Sequence, residues 1–227
     1  MIACILSKKF KVLKTLGTKN NQIGLALTLL NLDSSYDFAV VELGTNHPGE
    51  IEYLAKICLA NIGVITNIGP AHLEHLDGFN GVFKEKRSLL YNLEKPHIAI
   101  LNGDDALLKN KIAAKTHNIT FTFGIKNRCD FRAVRIRNFN WELDFLVKQK
   151  FRLKTLGYYN VYNALASIAV ARIFGMGYPD ISRALANFKF PQSRLSLLEL
   201  NKVRFIDDTY NANPVSLKEA LDVLGSF

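Results

Sequence analysis

Residues 38–66, FAVVELGTNHPGEIEYLAKICLANIGVIT, contain the clearest secondary-structure pattern in the chain. Two short apolar runs, 38–41 and 62–66, predict buried strands. Between them, Pro48 is suited to the first position of a helix, which we expect to end near Cys58. A helix between two buried strands is typical of a parallel sheet, because parallel strands need a crossover connection.

The same alternation continues on both sides. We expect helices over 1–9, 22–32 and 79–93, strands over 11–15, 98–101 and 120–123, and a helix capped by Asp104 that ends near 115. Three segments then alternate apolar and polar residues, 131–136, 141–147 and 151–155, and predict a small antiparallel sheet. Two further helices follow, one with Val161, Leu165, Ile168 and Ala169 on one side and one over 179–188. The prediction is an α/β fold with a mostly parallel sheet flanked by helices.

Pro191 marks a predicted domain boundary. Residues 1–190 form one α/β domain, and residues 191–227 resemble the start of another, with two strands within 195–208 and a helix from Pro214. The chain has 227 residues, 48% hydrophobic and 22% charged, which suits one domain together with a piece of a second.

Composition also excludes several classes of protein. The three cysteines are far apart in sequence, so neither a disulfide framework nor a zinc site is indicated. Residues near Met1 lack the long apolar stretch of a signal peptide, and no run approaches the length that spans a bilayer, so we expect a cytoplasmic protein without membrane insertion. The net charge of +9 is spread along the chain, which argues against nucleic acid and suits anionic small substrates.

Two motifs follow the strands of the opening segment. Glu42, in ELGTNHPGE, ends the first strand at the sheet edge where α/β proteins bind ligands. It is a candidate magnesium ligand, or else a carboxylate satisfied by backbone N–H groups. In TNIGPAHLEHLD, residues 66–77, His72 is a candidate cation ligand or a merely exposed histidine, and His75 and Asp77 have weaker claims.

Three more motifs have plain alternatives. The run KEKR, residues 84–87, usually indicates solvated surface. Asn160 and Asn163 begin a predicted helix, where an amide either caps the helix or contacts a purine or phosphate group. Near the C-terminus, Asp207 and Asp208 end an apolar strand, and Arg194 offers a planar cation for a phosphate or base.

Together these motifs resemble the Mur ligase family in order and spacing across nearly the whole chain. DDTYNANP, NIGPAHLE and ELGTNHPGE are similar to the members that add D-alanyl-D-alanine to UDP-N-acetylmuramoyl-tripeptide. The resemblance implies an ATP- and Mg²⁺-dependent peptide ligase of peptidoglycan synthesis, active through an acyl phosphate and expected to be a monomer. The alternatives are another Mur ligase, a folylpolyglutamate synthase-like ligase, or a non-catalytic nucleotide-binding module.

The resemblance also assigns roles to residues. It implies that Glu42, His72 and a carbamylated Lys86 bind magnesium, with His72 and Lys86 in the catalytic centre. Asn160, Asn163, Arg194 and Asp208 match nucleotide-binding positions, and Asn20 and Asn21 match a segment near the UDP-sugar substrate. The sequence departs from the family pattern at Tyr159, where histidine is usual, at Ser196, where glutamate is usual, and at Lys19, where an aromatic residue is often found.

The family's phosphate-binding loop, GKTT, is expected directly before the helix that here begins at Met1. We therefore expect this chain to be the central ATP-binding domain without that loop, without the N-terminal UDP-binding domain and without most of the C-terminal domain. From this we predict no ligase activity for the chain by itself.

Overall fold

The structure of the chain, a computed structural model, describes residues 1–69, 76–111, 119–139, 141–210 and 214–225. Its elements, in chain order, are α1 (Ile2–Leu6), β1 (Val12–Lys14), α2 (Gln22–Leu29), β2 (Phe38–Val40), α3 (Glu50–Cys58), β3 (Ile62–Ile65), α4 (Gly78–Tyr91), β4 (Ile98–Asn102), α5 (Ala106–Lys111), β5 (Ile119–Gly124), β6 (Phe131–Arg132), β7 (Val134–Phe139), β8 (Glu142–Leu146), β9 (Lys150–Leu153), α6 (Tyr159–Ile173), α7 (Tyr178–Ala186), β10 (Ser196–Leu200), β11 (Val203–Asp207) and α8 (Pro214–Leu224).

The central sheet is parallel and has the strand order β3-β4-β5-β6. Strands β1 and β2 form a second parallel pair, and no ladder joins β2 to β3 in the part of the chain that the structure describes. Strands β7, β8 and β9 form a small antiparallel sheet. These features confirm the predicted α/β fold with its antiparallel subsheet.

Strand β4 shows why helices cover both faces of the central sheet. Its residues Ile98 and Ile100 belong to a core shared with α1, α6 and α7, whereas Ala99 and Leu101 belong to a core shared with α4 and α5. Successive side chains of a strand point to opposite faces. A strand whose five residues are all buried must therefore lie between two helical layers.

Helix α6 contributes more buried residues than any other helix to the core that contains Ile98 and Ile100. Ten of its 15 residues are buried, many of them alanines, and it contacts β4, β5, α1 and α7. Small side chains allow such close approach on several sides of one helix. The four residues predicted for its apolar side, Val161, Leu165, Ile168 and Ala169, are all buried. None of the helices that the structure describes is long and apolar enough to cross a membrane.

Three local predictions are wrong. Helix α3 begins at Glu50 and not at Pro48, because Gly49 adopts a left-handed conformation with φ +88° immediately before it. Asp105, not Asp104, caps α5: its Oδ1 accepts hydrogen bonds from the backbone N–H groups of Leu107 and Leu108. The predicted end of α5, near 115, lies outside the described residues.

The third error concerns β6, which was expected in the antiparallel sheet. It pairs with β5 in parallel, with Phe131 opposite Phe123. The backbone N–H of Ala133 then donates to the carbonyl oxygen of Gly124 at 3.0 Å. The antiparallel sheet begins with the next strand, β7, a few residues later than the alternating apolar and polar pattern predicted.

The C-terminal segment forms the antiparallel hairpin β10–β11 and helix α8, as predicted. Leu195 and Val223 pack with Leu156 in a small core that also includes Tyr159 and Trp141. Through this core the C-terminal segment packs against the start of α6. The proposed division of the chain at Pro191 into two domains stays a prediction.

Candidate active site

Glu42 follows β2 at the carboxyl end of that strand. Its Oε1 accepts a hydrogen bond from Asn20 Nδ2 at 3.0 Å, and its backbone N–H donates to Thr15 Oγ1 at 3.0 Å. Glu42 follows an apolar strand, which suggests a buried and therefore costly carboxylate, but the structure shows the residue exposed, so that cost does not arise. Exposure instead leaves Glu42 accessible to a cation from solvent.

The side chains of the two candidate substrate residues, Asn20 and Asn21, have different hydrogen-bond partners. Asn20 contacts Glu42, and its carbonyl oxygen accepts from the backbone N–H of Gly44 at 2.8 Å. A Cβ atom on Gly44 would lie 2.7 Å from Asn20 Cγ, so any larger residue at this close approach would displace the Asn20 side chain. Asn21 caps α2, because its Oδ1 accepts from the backbone N–H of Gly24 at 2.8 Å. The structure therefore brings Asn20, but not the Asn21 oxygen, to the site.

Lys86 lies on α4 and points to the loop after β3. Its Nζ donates to the carbonyl oxygen of Asn67 at 3.0 Å. Burial lowers the pKa of Lys86, and the negative charge of Asp105 partly opposes this effect. Lys86 is therefore not an ordinary solvated lysine, and a larger fraction of it is a neutral amine at a given pH.

Glu85, the neighbour of Lys86, is buried, with 6% of its surface exposed. Its Oε1 accepts from the backbone N–H of Ile51 at 2.7 Å and from Thr45 Oγ1 at 3.3 Å, and its Oε2 accepts from the backbone N–H of Gly49 at 2.7 Å. The interpretation of KEKR as a solvated run is wrong for Glu85 and Lys86. Helical spacing was the missed signal, since Glu85 follows buried Val82 by three residues.

The loop after β4 is a second missed feature. Asn102 Nδ2 donates to the carbonyl oxygen of Thr66 at 2.9 Å. Asp105 Oδ2 accepts from the backbone N–H of Ile68 at 2.7 Å. These bonds fasten the loop after β3, which carries Asn67, to the end of the neighbouring strand. Acidic residues directly after a buried strand were the available signal, as they were for Glu42.

Asp104, beside Asp105, connects the loop after β4 to the turn at 125–127 and to α6. Its carboxylate accepts from the backbone N–H groups of residues 125–127 at 2.6 to 2.8 Å and from Tyr162 Oη on α6 at 2.9 Å. Burial would raise the pKa of Asp104, but these hydrogen bonds outweigh it and hold the pKa below its usual value. Asp104 thus joins the sheet edge to α6.

Asn160 and Asn163 lie at the start of α6, as predicted. Asn160 is 4% exposed, and its Nδ2 donates to the carbonyl oxygen of Leu156 at 2.8 Å. Its Oδ1 accepts from Asn163 Nδ2 at 3.5 Å. Asn160 is therefore buried and hydrogen-bonded within the protein, and the half-buried Asn163 is the more accessible of the two amides; nucleotide binding by either residue stays a prediction.

Tyr159, the first residue of α6, packs against the C-terminal segment. Burial, and then the negative charge of Asp208, raises the pKa of Tyr159 to about 12, while the positive charge of Arg194 acts in the opposite direction. Asp208 Oδ1 accepts from the backbone N–H of Leu195 at 3.0 Å. The exposed guanidinium of Arg194 lies 4.1 Å from the centre of the Tyr210 ring. The structure thus brings Arg194 and Asp208 close to the start of α6.

His72 and His75 lie outside the described residues. Asp77 precedes α4, is exposed and makes no side-chain cap. No three His, Cys, Asp or Glu side chains cluster as a metal site within the ranges the structure describes. Glu42 alone still fits magnesium, since this ion is often held by one or two carboxylates together with substrate phosphates, and Glu42 Oε2 has no protein partner among the described residues.

Residues 1–171 match the family model described as Mur ligase middle domain. Over 230 residues the chain is 32% identical to the UDP-N-acetylmuramoyl-tripeptide--D-alanyl-D-alanine ligase of Bacillus subtilis (strain 168), a match that covers 100% of this chain and 50% of that protein. The ligase of the same name from Escherichia coli (strain K12) is 34% identical, over 99% of this chain and 51% of its own length. The chain spans about half the length of the curated relatives it matches.

Two solved structures are similar in fold. Crystal structure I of MurF from Acinetobacter baumannii superposes with a TM-score of 0.91 and 33% identity, covering 100% of this chain and 51% of that one. MurF from Thermotoga maritima in complex with ADP superposes with a TM-score of 0.90 and 26% identity, covering 100% of this chain and 53% of that one.

Proposed function

This chain belongs to the Mur ligase family, and on that premise we propose that it forms the ATP- and metal-binding part of a peptide ligase. The ligase joins D-alanyl-D-alanine to UDP-N-acetylmuramoyl-tripeptide in peptidoglycan synthesis, a cytoplasmic step that serves cell shape and cell division. The proposal takes its substrates from the relatives that the whole chain matches at 32% and 34% identity.

One observation in the structure carries the proposal: the placement of Lys86. A half-buried lysine with a lowered pKa, whose Nζ reaches from α4 to the loop after the parallel strand β3, is suited to react as a neutral amine with CO₂. The N–C bond of the carbamate forms, the amine loses a proton, and a cation becomes an anion. Lys86 and Glu42 are then both anionic oxygen donors at one edge of the molecule, as a magnesium site requires.

The proposed reaction has two steps. The terminal carboxylate of the UDP-linked peptide attacks the γ-phosphorus of ATP, and ADP leaves as the acyl phosphate forms. The amine of D-alanyl-D-alanine then attacks the acyl carbon, phosphate leaves, and the nitrogen loses a proton to complete the amide. Magnesium, when bound, screens the negative charges of the triphosphate and the carboxylate.

The residues of this chain have separate parts in that scheme. Glu42, the Lys86 carbamate and His72 hold the cation, and Asn20 orients the Glu42 carboxylate at 3.0 Å. Asn163, Arg194 and Asp208 bind the nucleotide. Asn160 supports Asn163, because its own amide is occupied by Leu156. Tyr159 fills the position where the family usually has histidine and packs in the small C-terminal core.

Calorimetric titration tests the binding half of the proposal. The protein that contains residues 1–227 is titrated with ATP and Mg²⁺, and Glu42→Gln is compared with Glu52→Gln, an exposed carboxylate on α3 paired with Lys56. We expect Mg²⁺-dependent ATP binding that weakens about tenfold or more in Glu42→Gln and stays unchanged in Glu52→Gln. Equal binding by both variants would contradict the role of Glu42. The expectation that the 227 residues alone do not ligate stays a prediction.

A further inference from the structure

Glu85 is a buried carboxylate for which the proposed reaction has no direct use. It lies on α4, is 6% exposed, and both its oxygens are occupied by donors from residues 45–51. A carboxylate with no free oxygen and almost no exposed surface cannot contact substrate. Its role must lie in what it holds.

What Glu85 holds is the far end of the loop that begins at Glu42. The near end is fastened by Glu42 and Gly44, whose backbone N–H groups donate to Thr15 Oγ1 and to the carbonyl oxygen of Asn20. The far end reaches α3 at Gly49, where Glu85 accepts two backbone N–H groups. The loop is therefore held between the β1–α2 segment on one side and α4 on the other.

Glu85 and Lys86 are adjacent on α4 but serve different loops. Glu85 binds the loop after β2, and Lys86 Nζ binds Asn67 in the loop after β3. Consecutive residues of a helix are separated by about 100° around its axis, so neighbouring side chains reach in different directions. A single turn of α4 thus sets where one loop lies relative to the other, although β2 and β3 share no ladder in the described part of the chain.

We propose that Glu85 is a positioning residue that holds the Glu42 loop in place relative to Lys86, and this inference rests on the proposed function. It acts through the backbone at Gly49 and Ile51 and not by touching the cation. Residues that orient metal ligands from behind typically change metal affinity by about 10- to 100-fold when they are replaced.

The negative charge of Glu85 suits this position. The Glu85 carboxylate, from α4, lies beside the N-terminus of α3. Unpaired N–H groups and the helix dipole favour an anion there. A carboxylate accepts at both oxygens, as its three donors require. In Glu85→Gln one oxygen becomes an NH₂ group that faces a backbone N–H, so one buried donor loses its acceptor.

The first measurement is amide hydrogen exchange followed by mass spectrometry. It compares the protein that contains residues 1–227 with its Glu85→Gln variant and with Glu52→Gln as the matched control, in which an exposed glutamate of α3 is changed. We expect exchange in peptides covering residues 44–51 to accelerate by roughly tenfold or more in Glu85→Gln, with β3 and β4 unchanged. Unchanged exchange in this loop would overturn the inference.

The second measurement separates positioning from mere structural support. The same proteins, with ADP present, are titrated with Mn²⁺ as a probe for Mg²⁺, and free Mn²⁺ is read by electron paramagnetic resonance. We expect Mn²⁺ affinity to fall about tenfold in Glu85→Gln and to be unchanged in Glu52→Gln. Faster loop exchange with unchanged Mn²⁺ affinity would show that Glu85 only stabilises the fold.

Two further variants complete the design. Glu85→Asp keeps the charge and shortens the reach, so it tests the geometry even if Glu85→Gln does not fold, and we expect its Mn²⁺ affinity to be intermediate. Glu42→Gln reports on the proposed function itself. If the unsubstituted protein binds no Mn²⁺, or if Glu42→Gln binds it equally well, the proposed metal site is wrong and Glu85 has nothing to position. An effect of Glu42→Gln with none of Glu85→Gln overturns the Glu85 inference alone.

Discussion

Lys84 and Lys86 lie two residues apart on α4 and differ in their surroundings. Lys84 is exposed, whereas Lys86 is partly enclosed, donates to Asn67 at 3.0 Å and has a pKa lowered by burial. Only the neutral amine reacts with CO₂, so the lowered pKa of Lys86 favours its carbamylation.

We predict that ¹³C-bicarbonate labels Lys86. A carbamate carbon signal should appear in the ¹³C NMR spectrum of the protein, vanish in Lys86→Arg and persist in Lys84→Arg. A carbamate signal that survives in Lys86→Arg, or the absence of any signal in the unsubstituted protein, would count against the proposed role of this residue.

Asn160 is predicted to matter for stability more than for direct nucleotide contact. Asn160→Ala removes the donor to Leu156 and leaves Asn163 without its partner, in a site that is 4% exposed. We expect the free energy of unfolding, measured in urea, to fall by about 1–3 kcal/mol. Asn163→Ala, at a half-buried position, should cost less stability and weaken ATP binding more. The reverse order would restore Asn160 as the nucleotide ligand.

At the scale of single residues, the sequence was informative where a side chain acts alone. Glu42 and Asn20 lie together at the sheet edge, and Lys86 lies beside Asn67. The roles that the resemblance assigns to Glu42, Asn20 and Lys86 stay predictions. Glu85 was missed because its role depends on donors 34 to 40 residues away. No local pattern reveals those partners.

The loop after β4 links two elements through consecutive carboxylates. Asp105 binds the loop after β3, and Asp104 binds the turn at 125–127 and Tyr162 of α6. These two residues connect the loop after β3 and the turn at 125–127 to the end of β4 and to α6. Replacing Asp104 should therefore loosen a junction between elements and not only one turn.

The pH dependence of that junction follows from the pKa of Asp104. Its folded-state pKa is lowered, so its contribution to stability is present above the unfolded value of about 3.9 and is lost as the pH falls through the folded value. Asp104→Asn should lower the free energy of unfolding at pH 7 by about 1–3 kcal/mol and reduce its dependence on acidic pH. Asp180→Asn, at an exposed position on α7, is the control. Equal effects of the two changes in urea titrations at several pH values would contradict the assignment.

At the scale of elements, apolar runs and helical spacing predicted nearly all helices and strands, because burial on one or two faces leaves a period in the sequence. The errors arose at junctions. Pro48 was expected to begin α3, but the helix begins at Glu50, after the left-handed Gly49, whose backbone N–H donates to Glu85. Asp104 was expected to cap α5, but the adjacent Asp105 does so.

At the scale of the whole molecule, the general rule for α/β sheets predicted that the candidate residues after the strands lie at one edge. Glu42 follows β2, Lys86 reaches the loop after β3 from α4, and Asn160 and Asn163 lie at the start of α6. Hydrogen bonds of Glu85, Asp105 and Asp104 connect the loops after β2, β3 and β4 with α4 and α6. The rule does not say how the loops after β2 and β3 are held together. In this molecule side chains of α4 do so, which depends on the packing of α3 against α4 and cannot be inferred from the strand pattern.

The measurement that tests the central claim most directly is ligation with defined substrates. A longer protein that contains residues 1–227 is incubated with ATP, Mg²⁺, UDP-N-acetylmuramoyl-tripeptide and D-alanyl-D-alanine, and products are identified by mass spectrometry; the 227 residues alone, from which we predict no product, are the comparison. We predict the UDP-linked pentapeptide with equal amounts of ADP and phosphate, and a rate at least about 100-fold lower in Lys86→Ala but unchanged in Lys84→Ala. Product formation that is insensitive to Lys86→Ala, or ligation of another amino acid in place of D-alanyl-D-alanine, would contradict the account.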